Sequence, residues 1–173
     1  MPLQSRGLVL GGASSGKSAF AERLVSGLGR PRAYIATAEA WDDEMRDRIA
    51  RHREQRGLGW RTVEAPRDLA GALGRVPAGE AVLVDCATLW LSNRMLADDD
   101  LDAAEAELLA GLAACPAPVV MVSNEVGFGI VPDTPLGRRF REAQGRLNQS
   151  LAAQADLVVL VAAGLPLALK GSL

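Results

Sequence analysis

The chain has one histidine, His52, and two cysteines, Cys86 and Cys115, among its 173 residues. A single histidine excludes a histidine-built zinc site. The cysteines are far apart and match no metal-binding or redox spacing, so both read as small buried residues of a reducing compartment. A surplus of one charge is also missing. Nineteen Lys and Arg face twenty-one Asp and Glu, a net charge of −2, which offers no basic surface for nucleic acid. No apolar run reaches the roughly 18 residues of a membrane span. Residues 1–7 lack the charged-then-apolar pattern of a secretory signal. These absences give the expectation of a cytoplasmic protein. There is no repeat, low-complexity linker or break in composition, and the length fits one domain, 1–173, with a sizeable core.

What the chain does have begins at Gly11-Gly12-Ala13-Ser14-Ser15-Gly16-Lys17-Ser18. The pattern is Gly, four free positions, then Gly, Lys and Ser. An apolar strand pattern, Leu8-Val9-Leu10, precedes it and helical spacing follows, which is the setting a phosphate loop requires. The glycines let the backbone turn its N–H groups inward onto phosphate oxygens, and the next helix adds its positive end. Lys17 is expected to reach the β- and γ-phosphates, and the Ser18 hydroxyl to sit on Mg²⁺.

The rest of the chain alternates strands and helices. Strands are predicted at 7–10, 32–36, 60–64, 81–85, 119–123 and 157–161, with an edge strand at 165–170. Helices are predicted from the phosphate loop to about 28, then at 43–56, 66–73, 88–96, 101–114 and 136–154. Several strands are continuous apolar runs, the mark of a parallel sheet covered on both faces. The expected class is α/β, P-loop NTPase-like. The acidic run Asp98-Asp99-Asp100 reads as a solvated turn.

Four stretches bear on chemistry. Asp85 ends an apolar strand, where a phosphate-loop protein places the acid that holds Mg²⁺, directly or through water. A carboxylate capping the next helix reads the same way in sequence. Thr37-Ala38 offers a small, polar strand end where a nucleotide can lie against the backbone. His52 stands among Arg48, Arg51, Arg53 and Arg56, whose positive field favours the neutral, nucleophilic imidazole. Those arginines suit nucleotide phosphates, and the helix also reads as an ordinary solvated basic face. Asn124-Glu125-Val126-Gly127 is polar where the sheet opens to its crevice, or else a capped turn. Arg138, Arg139 and Arg141 begin the long helix nearby and suit either an anion or solvent.

With these stretches in view, the sequence resembles the bifunctional adenosylcobinamide kinase/adenosylcobinamide-phosphate guanylyltransferase family of cobalamin biosynthesis. The resemblance is carried by residues 8–18, by Tyr34-Ile35-Ala36-Thr37-Ala38, and by Asp42-Asp43-Glu44-Met45 with Arg48, Ile49 and His52. It continues in Asn124-Glu125-Val126-Gly127 with Gly129-Ile130-Val131-Pro132, in Arg138-Arg139-Phe140-Arg141, and in Gly145-Arg146-Leu147-Asn148. It spans essentially the whole chain. The resemblance implies that His52 takes GMP from GTP. It implies guanine-nucleotide contacts at Ala36, Thr37, Ala38, Arg53, Glu54, Gln55, Arg56, Glu64 and Asp85, beside the phosphate-loop residues. GTP and ATP as nucleotides, Mg²⁺, adenosylcobinamide and its phosphate as partners, and a homotrimer come with it. Two positions depart from the family pattern. Ser14 stands where Arg is frequent, and Arg51 where some members have a second histidine.

Two other functions fit parts of the pattern. A P-loop small-molecule kinase without guanylyl transfer accounts for residues 11–18 and Asp85 but leaves His52 unused. A GTP-binding switch requires Asn-Lys-x-Asp after a buried strand, and this chain has Asn124-Glu125-Val126-Gly127 there.

Overall fold

The computed structural model describes residues 5–39 and 58–173. The predicted helix at 43–56, with His52, Arg53, Glu54, Gln55 and Arg56, lies outside the described residues. In chain order the elements are β1 (Arg6–Gly11), α1 (Lys17–Ser26), β2 (Arg32–Ala36), β3 (Trp60–Glu64), α2 (Leu69–Gly74) and β4 (Ala81–Asp85). They continue with α3 (Ala87–Leu96), α4 (Leu101–Ala114), β5 (Val119–Asn124), α5 (Pro135–Gln154), β6 (Leu157–Ala162) and β7 (Leu165–Lys170).

The strands form one seven-stranded sheet in the order β3-β2-β4-β5-β1-β6-β7. The first six are parallel, and β7 closes the edge antiparallel to β6. Continuous apolar runs make the middle of this sheet because both of its faces are covered. On one face Phe20, Ala21 and Val25 of α1 pack with Val9, Leu83, Val120, Val122 and Val159. On the other, Leu69, Leu73, Trp90, Leu108, Leu112, Leu147 and Leu151 from α2–α5 pack with Leu8, Ile35, Val84 and Met121. Cys86 and Cys115 are both free and buried, as their spacing suggests.

Caps explain where the helix limits differ from the sequence pattern. The α2 helix starts at Leu69 rather than 66 because the Asp68 carboxylate accepts from the Gly71 N–H at 2.9 Å. The Asp98-Asp99-Asp100 turn is less passive than a solvated turn. Asp100 caps α4 by accepting from Asp102 and Ala103, and Asp99 pairs with Arg94 at 2.7 Å and Arg67 at 2.9 Å. The adjacent carboxylates of Asp99 and Asp100 are tolerated because each has its own donors.

At the amino edge of the sheet, Arg6 ties β1 to the last turn of α4 and the chain after it. Its guanidinium donates to the carbonyls of Leu112, Cys115 and Ala117 at 2.6–3.0 Å. Asp156 accepts from the N–H groups of Ser5 and Arg6 at 3.0 and 2.9 Å. The Arg6 N–H bond, ahead of the Ser5 bonds and the Arg6 charge, holds this carboxyl below its ordinary range. A depressed folded-state pKa adds stability above the unfolded carboxylate pKa and loses it as pH falls through the folded value. Asp156→Asn should therefore lower Tm at neutral pH, and the gap to the parent should close on acidification. Thermal unfolding of both proteins from pH 7 to pH 3 measures it, and a gap independent of pH refutes the assignment.

Candidate active site

The parallel strands all end on one edge, and there the site residues gather. β1 runs into residues 12–16 and then α1. Gly11 is at the crossing point: a Cβ there would lie 2.4 Å from Ser15 Oγ and 2.7 Å from the Val161 carbonyl oxygen, so the backbone passes only because the residue is glycine. Gly16 turns with φ +91°, and a Cβ on it would meet the Gly164 backbone at 3.2 Å. The β6–β7 turn thus buttresses the loop, and the Gly164 N–H donates to the Ser15 carbonyl at 2.8 Å. Ser14 also takes a positive φ, 55°.

Gly16 is the N-cap of α1 and, having no side chain, supplies no side-chain cap to that helix. Lys17 Nζ donates to the Gly12 carbonyl at 3.1 Å, arching over the loop. Ser18 follows on the first turn of α1. Gly12, Ala13 and Ser14 are exposed, while Ser15 is buried with its Oγ unpartnered.

Two strands from β1, β4 ends in Asp85, whose Oδ2 accepts from the Tyr34 hydroxyl at 3.1 Å. The Asp85–Cys86 peptide is cis. The buried Cys86 thiol is pushed up to about 11, chiefly by burial and then by the Asp85 charge, while Lys17 acts in the opposite direction. Parallel register pairs Asp85 with Val122 and Gly11 with Asn124, so Asp85 and the loop that leads to Lys17 lie on the same edge of the sheet.

The expected contacts at 36–38 divide. Thr37 is fully buried. Its hydroxyl donates to the Cys86 carbonyl and accepts from the Cys86 N–H, both at 2.7 Å. Its N–H donates to the Asp85 carbonyl at 3.2 Å, and its own carbonyl accepts from Asn93 Nδ2 at 2.8 Å. Thr37 thus binds the ends of β2 and β4 to each other, leaving Ala36 and Ala38 as the half-buried neighbours a ligand can meet. Glu64, exposed at the end of β3, shares the same edge.

Sequence reading marked the stretch at 124–127, and Asn148 within the family pattern, but not the hydrogen-bonded group that joins them. Ser123 Oγ donates to Asn148 Oδ1 at 2.6 Å and accepts from Gln144 Nε2 at 2.9 Å. Thr88 Oγ1 accepts from the Asn124 N–H at 2.8 Å, and Asn148 Nδ2 donates to the Asn124 carbonyl at 3.0 Å. Polar residues on the apolar face of α5, at i and i+4, were the available signal. Arg138 and Arg141 are occupied locally: Arg138 donates to the Pro132 and Asp133 carbonyls and Arg141 to the Gly127 carbonyl, pinning the loop ahead of α5.

The model of the family described as cobinamide kinase / cobinamide phosphate guanyltransferase matches residues 7–169. The chain belongs to this family. It is accordingly a transferase with a kinase and a guanyltransferase activity. It is 48% identical over 169 residues to the bifunctional adenosylcobalamin biosynthesis protein CobP of Pseudomonas aeruginosa, covering 96% of this chain and 98% of the relative. It is 43% identical to the bifunctional adenosylcobalamin biosynthesis protein CobU of Escherichia coli, covering 94% and 98%. Solved structures with the same fold include the RadB recombinase, with TM-score 0.54 and 18% identity over 92% of this chain and 74% of that one. An ATPase of a type III secretion system matches with TM-score 0.56 and 10% identity, over 96% and 57%. At such identities the likeness shows the phosphate-loop α/β fold alone.

The packing at Gly11 yields a sharp expectation. Gly11→Ala forces either Ser15 or β6 to move, and overpacking of this kind costs about 1–3 kcal/mol. Nucleotide affinity should fall with stability, whereas Gly12→Ala, with no atom within 4 Å of its Cβ, should leave stability nearly unchanged. Chemical denaturation and nucleotide titration of both variants check this, and equal behaviour refutes it.

Proposed function

We propose that one triphosphate site at this strand edge serves both reactions of the family, within a single domain spanning 1–173. The observation that carries the reading is the meeting of a glycine-gated phosphate loop, Lys17 and Asp85 on one edge of the sheet. In the first reaction the terminal phosphoryl group of ATP or GTP passes to the hydroxyl of adenosylcobinamide. Loop N–H groups, the open end of α1 and Lys17 face the charge that spreads over the phosphoryl oxygens. In the second reaction His52 attacks the α-phosphorus of GTP and pyrophosphate leaves. Adenosylcobinamide phosphate then takes GMP from His52, giving adenosylcobinamide-GDP. Lys17 grips the group that moves in one reaction and the group that departs in the other. Ala36, Ala38, Glu64 and residues 53–56 complete the nucleotide contacts, with Thr37 holding the strand ends in place.

Ser18 and Asp85 fit Mg²⁺. Among the described residues no group of three or more His, Cys, Asp or Glu forms a cage, and Mg²⁺ is ordinarily held by one or two protein groups plus substrate phosphates. The ion would supply neutralising charge between the phosphates. No described helix is long and apolar enough to cross a membrane. The same reading places the enzyme in the cytoplasm as a homotrimer. The exposed Leu165, Leu167 and Leu169 of β7 are apolar surface that a subunit contact can cover.

The test uses GTP labelled at the α-phosphate. The parent protein should become covalently labelled and lose the label when adenosylcobinamide phosphate is added, while His52→Ala should take up none. Labelling of the variant sinks the histidine assignment, and a parent with kinase activity but no labelling favours the simple kinase. Lys17→Ala should depress both reactions by about two or more orders of magnitude, as removal of a charge-stabilising donor does. A spared kinase step contradicts the shared site.

A further inference from the structure

The proposed mechanism leaves the acceptor alcohol without a residue to hold it. The strand order places β5 between β4 and β1, so its tip lies between Asp85 and the phosphate loop. Asn124 is the last residue of β5 and stands opposite Gly11 in the parallel register. The Glu125 N–H donates to the Gly11 carbonyl at 3.1 Å, fastening the tip to the start of the loop.

The main chain of Asn124 is gripped on both sides, its N–H by Thr88 Oγ1 and its carbonyl by Asn148 Nδ2. Behind it the buried Ser123, Gln144 and Asn148 share hydrogen bonds at 2.6–2.9 Å, with Gln144 Oε1 left over. The side chain is treated differently. Asn124 Oδ1 is shut off from solvent and has no hydrogen-bond partner. Buried acceptors are ordinarily paired, and an unpaired one is a cost to the fold. Gln144 Oε1 is unpaired as well, but Gln144 is fully buried under the strand tip, whereas Asn124 is half-buried and ends β5 at the crevice, so its oxygen is the one that a ligand bringing a donor can use. Phosphates bring none at neutral pH. An alcohol does.

We propose that Asn124 is the acceptor-orienting residue of the kinase step, its carboxamide oxygen accepting from the substrate hydroxyl beside the terminal phosphoryl group. This inference rests on the shared-site reading given above. The ligand class is a primary or secondary alcohol, held with its oxygen lone pair toward the terminal phosphorus of the nucleoside triphosphate. In the transfer, the alcohol oxygen bonds to that phosphorus and the bond to the bridging oxygen of the departing nucleoside diphosphate breaks. The alcohol proton passes to an oxygen of the transferred phosphoryl group and from there to water. A carboxamide is no base, so Asn124 aligns the hydroxyl and takes no proton. The guanylyl step uses a phosphate as acceptor, attacks a different phosphorus, and has no use for this contact.

The test compares Asn124→Leu and Asn124→Ala with the parent, using adenosylcobinamide, adenosylcobinamide phosphate and GTP with Mg²⁺. Phosphorylation of adenosylcobinamide should fall 10- to 100-fold in kcat/KM. The Kd for GTP should stay within about threefold, and GMP transfer to adenosylcobinamide phosphate should be retained. Asn124→Leu, of similar volume, should melt no lower than the parent, because the oxygen it removes has no partner in the folded chain. Equal loss of both activities, or a lowered Tm, overturns the proposal in favour of a structural role. Unchanged phosphorylation overturns it outright. A weakened, Mg²⁺-dependent GTP affinity also overturns it, by assigning the donor to water on the metal. A parent protein that cannot phosphorylate adenosylcobinamide at all strikes the functional reading rather than Asn124.

Discussion

The close approach at Gly11 is the constraint on which the site depends. The end of β1 must pass between Ser15 and the Val161 carbonyl with no side chain of its own, since a Cβ would be 2.4 and 2.7 Å from them. That passage lets residues 12–16 curl back above the strand and present N–H groups, and it delivers Lys17 and Ser18 to the first turn of α1. The buttress comes from the far side of the sheet, where the β6–β7 turn touches Gly16 and bonds Ser15. The antiparallel edge strand β7 therefore does more than close the sheet, because its turn holds the loop shut.

A second constraint works across the other half of the edge. Thr37 spends its hydroxyl, N–H and carbonyl on the neighbouring strand end and on α3. The ends of β2 and β4 are thereby locked, and Asp85 has its position fixed from the backbone outward while Tyr34 bonds its carboxylate. Together with the clamp under Asn124, three consecutive strand tips are tied by side chains that do not themselves face the crevice. Phosphoryl transfer relies on groups held in place before the charge moves, since dipoles that must reorient during reaction lose much of their effect.

The fold was legible in the sequence because its causes are local. Runs such as Ala81-Val82-Leu83-Val84 and Val119-Val120-Met121-Val122 can only be strands covered twice, and Gly11 to Ser18 declares its own turn. The extent of α2 was not, since Pro66 and Asp68 compete as starting points and only the Asp68–Gly71 bond decides. In the site, the turn between β1 and α1 and the place of Asp85 at a strand end were legible, because both follow from local patterns. Thr37 was read as a ligand contact because a small polar residue at a strand end fits either role in sequence. Its partner, Cys86, comes 49 positions later and only the sheet brings the two together. For the same reason the group formed by Thr88, Ser123, Gln144 and Asn148 left a weak trace: each is an unremarkable polar residue until α3, β5 and α5 converge.

If one site serves both reactions, as proposed, they demand different things of the same parts. Attack at the terminal phosphorus needs an acceptor placed beyond the end of the triphosphate. Attack at the α-phosphorus needs a nucleophile on its other side. The loop is tied to the β6–β7 turn by the Gly164 N–H on the Ser15 carbonyl, and on the shared-site proposal it holds the triphosphate in one place for both reactions. On that proposal the choice between chemistries lies in what approaches the triphosphate. Under this scheme the described strand tips act as a common anvil. The tip of β5 lies on the phosphate side, beside Gly11, and the guanylyl chemistry falls to His52 on a separate stretch of chain. Separating the two nucleophile positions in this way lets one set of phosphate contacts stabilise charge on whichever group is moving, without a second nucleotide site.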